Sequence, residues 1–477
     1  MPQSLRRSCA ACAKAKHSCD LRAPRCSRCI KRKVQCVYAN IPWTVTATPG
    51  LDDRLASALN TTSSLNCRFG SIDPFDSYPQ TRLPRVQVQR LIHSFLHKIA
   101  FQYYPLDLNA TSNPFLISWW PLALGDPALF HVSLQTACLD EELLAQKGFQ
   151  SSEILMADSV SLLRSKIDDM SLAVQDGTMN SVITLATIEF LQFGKGNTEF
   201  SEMHVNGVRR LVNMRGGINS VRQTSPLTAR MISWVSMLIM GHPQFATQDD
   251  TGIGDGIPPI PEWQLGSTAL SENLYDISDL NIGEEVNNVF IRLRNVFQWA
   301  QQIPLTSTRL HDLTCFVVHR LLLSAPGTDT ANSSPITERI RYAMILYMFL
   351  VQGPTYYSHA VIMNTIVTRL LGHLNQLEST HRVYDSLDIW VLSIGMVAST
   401  GTANYPWFME RAGVLSVSLR LDNCDDILFH IKRVLWLEIL QGEKLFRPHW
   451  DTVFGDKSPL DSSIYAICAL SSRTLPS

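Results

Sequence analysis

At 477 residues with 45% hydrophobic content, the chain has enough apolar material for one large or two unequal globular domains, which excludes an intrinsically disordered protein. No apolar run of roughly 7 to 15 residues follows Arg6 and Arg7, so no secretory routing is expected, and Met231 to Met240 and Ile345 to Val351 fall short of the roughly 18 apolar residues of a membrane span. The net charge of −1 hides an asymmetry: residues 1–38 carry ten basic residues against the single acid Asp20, a net of +9, and the remaining chain carries −10.

A dense cationic segment gains affinity for nucleic acid by displacing counterions from phosphates. Charge alone allows a solvated basic tail equally well. The cysteines favour the first reading. Six of the eleven lie at Cys9, Cys12, Cys19, Cys26, Cys29 and Cys36, and without a secretory signal such a cluster points to metal rather than disulfides. Cys67, Cys138, Cys315, Cys424 and Cys468 stand singly in apolar surroundings and read as buried core thiols.

The six form a repeat: adding 17 to Cys9, Cys12 and Cys19 gives Cys26, Cys29 and Cys36. Each half offers three thiolates, whereas tetrahedral structural zinc takes four ligands. Two zincs need eight ligand places, and six thiolates fill them when two bridge both ions. No histidine completes a separate Cys3His site in the second half, although His17 is available to the first. Ala10 to Ser18 favours helix and sets Lys14 and His17 on one face, and Ser27 to Gln35 carries Arg28, Lys31, Arg32 and Lys33. Two Zn²⁺ and six thiolates leave a net −2, so part of this positive charge offsets the cluster and the rest is free to meet phosphates.

With all six cysteines in place, residues 9–36 resemble the fungal zinc binuclear cluster regulators. The resemblance implies two zinc ions per chain, with Cys9 and Cys26 bridging, Cys12 and Cys19 completing one site, and Cys29 and Cys36 the other. Pro24 falls where the family has its loop proline. In relatives the first helix reads a CGG triplet in the major groove through a lysine three residues before the third cysteine, which here is Lys16. Lysine donating to guanine O6 and N7 is a common specific contact. Lys14, Arg6 and Arg7 are the expected phosphate contacts. Two positions usually basic in relatives are Ala13 and Ser18 here, so phosphate anchoring is expected to be weaker. The family also implies the nucleus, double-stranded DNA with CGG sites, RNA polymerase II genes, transcription machinery or co-regulators as partners, and in chains of this size often a metabolite gene cluster.

The expected organisation is a zinc-cluster domain over 1–40, a mostly unstructured linker over 41–84 rich in Pro, Thr, Ser, Asn and Asp, and an all-α regulatory domain over 85–477. Apolar heptads are absent after the cluster, so either a homodimer uses another surface or the chain binds one half-site as a monomer. From Val86 to Ala100 an apolar stripe of Val88, Leu91, Ile92, Phe95, Leu96 and Ile99 predicts a helix. Asp126-Pro127 reads as an N-cap and first-turn proline opening a helix through Leu144, and Val205 to Arg215 stops at Gly216-Gly217. Further helices are predicted near 226–240, 286–302, 308–324, 336–352, 356–376, 384–399 and 426–446. The stretches 113–130 and 204–218 look like the helical domain that often follows the cluster in these regulators, where it is regarded as receiving an effector or partner. Trp119, Trp120 and the Arg209/Arg210 pair read as packing and a solvated face. Ser271 to Val286 mixes acids with apolar residues as activating segments do, but reads better as a helix connection.

Enzymatic motifs are missing. H-E-x-x-H, G-x-S-x-G and G-x-x-x-x-G-K-[ST] do not occur, and Gly252 to Gly256 is followed by Pro258, Pro259 and Pro261, which forbid the helix of a dinucleotide fingerprint. The expected function is therefore a DNA-binding transcription regulator and not an enzyme. The alternative is a zinc-dependent protein-interaction module that reads no bases.

Overall fold

The computed structural model describes residues 10–15, 27–34, 78–146, 148–193, 198–265, 274–324, 334–377, 385–439 and 442–455. The chain divides into two compact units, Met1–Ser71 and Ile72–Ser477. Described residues of the first unit form two one-turn helices. Those of the second are helical, with an isolated bridge between Thr247 and Ile257 as the β pairing present. The all-α class expected for the large domain is what is found. No described helix is long and apolar enough to cross a membrane.

Five helices of the second unit are buried on nearly every side along most of their length: Pro127–Ala145, Asp176–Phe193, Ser307–Leu323, Pro335–Gln352 and Ser386–Ala398. A helix buried all round has no solvent to satisfy polar side chains, so its serines and threonines turn back on the preceding turn. Ser133 donates to the Leu129 carbonyl at 2.7 Å, Thr184 to Asn180 at 2.7 Å and Ser393 to Ile389 at 2.7 Å. At Gly395 the packing is close: a Cβ there would lie 2.1 Å from Phe408 on the Tyr405–Leu419 helix.

The local signals behave as their chemistry requires. Asp126 accepts from the Ala128 and Leu129 amides and Pro127 occupies the first turn. Gly216 and Gly217 take left-handed φ values of 95° and 94°, and the Gly217 amide returns to the Val212 carbonyl. Val88, Leu91, Ile92, Phe95 and Ile99 are buried as the stripe requires, although a π-helical turn over Phe95–Ile99 interrupts the helix. Trp119 and Trp120 are buried, with the Trp119 indole donating to Ser133 Oγ. Cys138, Cys315 and Cys424 are buried thiols, pushed up by desolvation to about 12, about 12 and about 11. Cys67 and Cys468 lie outside the described residues.

Other positions differ from expectation. Gln150–Ile167, Asp176–Phe193 and Tyr405–Leu419 are helices where no element is predicted. The helix expected over 426–446 ends at Val434 and resumes at Gly442. Between them the chain is extended because buried side chains take its backbone groups: Arg294 Nε donates to the Val434 carbonyl, Trp390 Nε1 to Leu435, and the Leu437 amide to Tyr347 Oη. Tyr78 and Leu83, in the expected linker, are part of the second unit and pack on its core, with the Tyr78 ring stacked on Phe130. Within 271–286, the described residues 274–283 form a helix connection tied down by Tyr275, whose hydroxyl donates to Asp385.

Asp312 is buried and accepts bidentate bonds from both Arg222 and Arg230, at 2.7 to 3.0 Å. Burial alone would raise its carboxyl, but the two guanidiniums hold it below the usual carboxylate value. Next to it His311 shares a cluster with Tyr104, Trp234 and Gln352, and His359 packs on Trp234 and Phe349. Desolvation pushes His311 and His319 down to about 4 and His359 to about 3, from an ordinary value of 6.5.

Because the folded values lie below the unfolded one, the unfolded chain takes up protons first as pH falls. The stability of the second unit should be insensitive to these histidines above roughly 6.5 and should decline from there toward pH 4, by about 1.4 kcal/mol per pH unit for each of them. Urea midpoints at pH 7.5, 6.0 and 5.0 measure this. A midpoint unchanged at pH 5.0 would contradict buried neutral imidazoles.

Candidate metal centre and nucleic-acid interface

The two helices of the first unit are Ala10–Lys14 and Ser27–Lys31. Both bounds differ by 17, so the cysteine repeat is also a structural repeat. The helices pack against each other, and the side chains buried among those described here are Cys12 and Cys29, at 3% and 1% exposure. A one-turn helix cannot hold itself together, since nucleating a turn costs more than its few hydrogen bonds return. Nor is a large aliphatic or aromatic side chain buried among the described ones, Val34 being 41% exposed. Two thiols at equivalent positions, drawn inward together, form the donor chemistry that zinc takes and that an apolar core does not explain.

The ends of the helices direct the charges outward. Ala15 N–H returns to the Ala11 carbonyl at 3.1 Å. In the second half Arg32 N–H returns to Arg28 and Val34 N–H to Cys29, while Lys33 takes a left-handed φ of 49°. This is the six-to-one closure of a Schellman end, with lysine at the position that usually holds glycine. Lys14, Arg28, Lys31, Arg32 and Lys33 are all exposed.

Of the residues expected to carry the site, Cys12 and Cys29 are each buried on helices that pack against each other, and Lys14 is exposed. Cys9, Cys19, Cys26, Cys36, Lys16, Arg6 and Arg7 lie outside the described residues. The exposed cations of the second half were not among the expected DNA contacts. The repeat carried the signal for them: adding 17 to Lys14 and Lys16 gives Lys31 and Lys33.

Residues 7–42 match the fungal Zn(2)-Cys(6) binuclear cluster domain. Residues 90–242 match the fungal specific transcription factor domain. The second match runs from inside the first helix of the second unit to just past Met240, where the Pro226–Met240 helix is closed by Gly241 in the left-handed region. No curated protein and no solved structure matches the chain. The chain thus carries a fungal Zn(2)-Cys(6) binuclear cluster domain over the buried thiols and a fungal specific transcription factor domain over the first part of the helical unit, the two domains of a zinc-binding and DNA-binding regulator of transcription.

Proposed function

We propose that the cluster holds two zinc ions through Cys9, Cys12, Cys19, Cys26, Cys29 and Cys36, with Cys9 and Cys26 bridging, and reads CGG triplets in double-stranded DNA at RNA polymerase II promoters in the nucleus. The observation that carries this reading is the matched pair of one-turn helices, with Cys12 and Cys29 turned inward and cations turned outward. Zinc would supply the cohesion that so short a segment lacks, and its thiolates would stay deprotonated under its charge.

Lys16 lies just beyond the end of the first helix and is the base contact, donating to guanine O6 and N7. Lys14, Arg6 and Arg7 hold phosphates and set the register without reading sequence. Control of a metabolite gene cluster, through co-regulators recruited by the helical unit, is the accompanying biological reading.

The selection of bound sites from a random DNA pool by the full chain with zinc tests the proposal. Enrichment of CGG triplets is expected. Two bound zincs without enrichment would favour a protein-interaction module instead. Lys16→Ala should weaken CGG binding by about 1 to 3 kcal/mol and relax discrimination at the guanines. Equal weakening on CGG and scrambled duplexes would remove Lys16 from base reading.

Metal removal gives an independent check. A chelator should collapse the amide chemical-shift dispersion of residues 1–45 while the helical unit keeps its far-ultraviolet signal, because the folding free energy of a segment without an apolar core comes from the metal. Dispersion that survives chelation would count against a structural cluster.

A further inference from the structure

The helix Arg85–Ser94 runs on through the π-helical turn Phe95–Ile99 and ends in Ala100–Tyr103. Its apolar stripe is buried, and the side away from that stripe carries two exposed histidines, His93 and His97. Among the described residues neither imidazole has a hydrogen-bond or ion-pair partner, and the ring contact each makes is with the other. The ring centres lie 4.2 Å apart, with the planes inclined by 37°. Desolvation first, and then the like charge of His93, holds His97 below the ordinary imidazole value. The neutral ring that this favours is the form that binds metal.

The spacing fits one shared ion. Two histidines four residues apart on a helix are how helical zinc sites present a pair of imidazoles to one metal. A metal about 2.0 Å from a ring nitrogen lies about 3.2 Å from the ring centre, so two imidazoles on neighbouring coordination positions at a right angle have centres about 4.5 Å apart. The observed 4.2 Å is close to that separation. The backbone contributes as well. An α-helix leaves a residue four positions on offset by about 40° around the axis, and passing into the wider π turn before His97 brings it more nearly above His93. Single π turns inside α-helices are rare and occur frequently at functional sites. The nearby cations Arg90 and Lys98 are paired with Glu141 and Asp140, so their charge is offset where an ion would approach.

We propose that His93 and His97 form a binding site for one divalent transition-metal ion, of the nickel, copper and zinc class that imidazole suits. The site stands on the helical unit, apart from the cysteines of the cluster, and is independent of which DNA the cluster reads. No group of three or more His, Cys, Asp or Glu able to hold a metal occurs among the described residues, so water fills the ion's other positions and the ion exchanges readily. The second imidazole meets an ion already held by the first, at an effective concentration of about millimolar or above, and this multiplies the affinity of either ring alone.

Calorimetric titration of nickel chloride into the zinc-loaded full chain, after removal of loosely held metal, tests this. The tightest step should take up one nickel per chain with the zinc content unchanged. His93→Ala and His97→Ala should each weaken that step about tenfold or more, with helical content preserved because both side chains are exposed. A chain that takes up no nickel would overturn the proposal, and so would uptake that ignores either substitution. Nickel uptake matched by zinc release would place the ion in the cluster and overturn it as well.

Discussion

Two helices of five residues each cannot stand by themselves, and that constraint shapes the first unit. Helix nucleation is unfavourable, and fewer than about twelve residues rarely hold a helix without outside support. Here the support comes from inside, where Cys12 and Cys29 are buried at matching positions of Ala10–Lys14 and Ser27–Lys31. Under the proposed zinc ligation thiolates would replace an apolar core and leave the surface free for charge. Residues 1–38 carry +9 and only a handful of large apolar side chains, too few for a conventional core.

The helical unit solves the opposite problem. It has ample apolar surface and must place polar groups inside it. Many of its buried hydroxyls fold back on their own helices, and its most deeply held carboxylate is matched. Asp312 on Ser307–Leu323 takes Arg222 and Arg230, which lie on two successive helices, so one carboxylate fixes three elements. Removing one partner of such an arrangement leaves an uncompensated charge, which costs more than the pair contributes. His311, His319 and His359 are pushed down by desolvation, which outweighs the Asp312 carboxylate at His311 and the backbone hydrogen bonds at His319 and is unopposed at His359.

What could be read from the sequence follows how each element is stabilised. A half-buried helix writes its environment as a stripe, and Val88 to Ile99 and Glu284 to Gln302 were legible in this way. Asp176–Phe193 is buried on all sides, so it shows no stripe, and its β-branched residues do not suggest a helix. The end at Val434 was illegible because Arg294, Trp390 and Tyr347, all distant in sequence, supply the reason for it. The zinc-cluster domain was legible because ligand spacing is a covalent property of the chain, and residues 7–42 match that domain. Of the proposed ligands, Cys12 and Cys29 are buried at equivalent places of the repeat.

The same repeat also bears on how the cluster meets DNA. Ala13 and Ser18 remove two cations from the first half, yet the second half keeps Arg28, Lys31, Arg32 and Lys33 exposed, with Lys31 related to Lys14 and Lys33 to Lys16. Phosphate attraction depends on how many charges come near the backbone, and little on which half they come from. Base reading depends on one donor in one place. Loss of cations from the first helix therefore weakens anchoring in a way the second can offset, whereas the base-reading role proposed for Lys16 would have no such reserve. Lys33 is its repeat-related counterpart, but it sits in a left-handed closing turn of the second helix and serves that helix's own end.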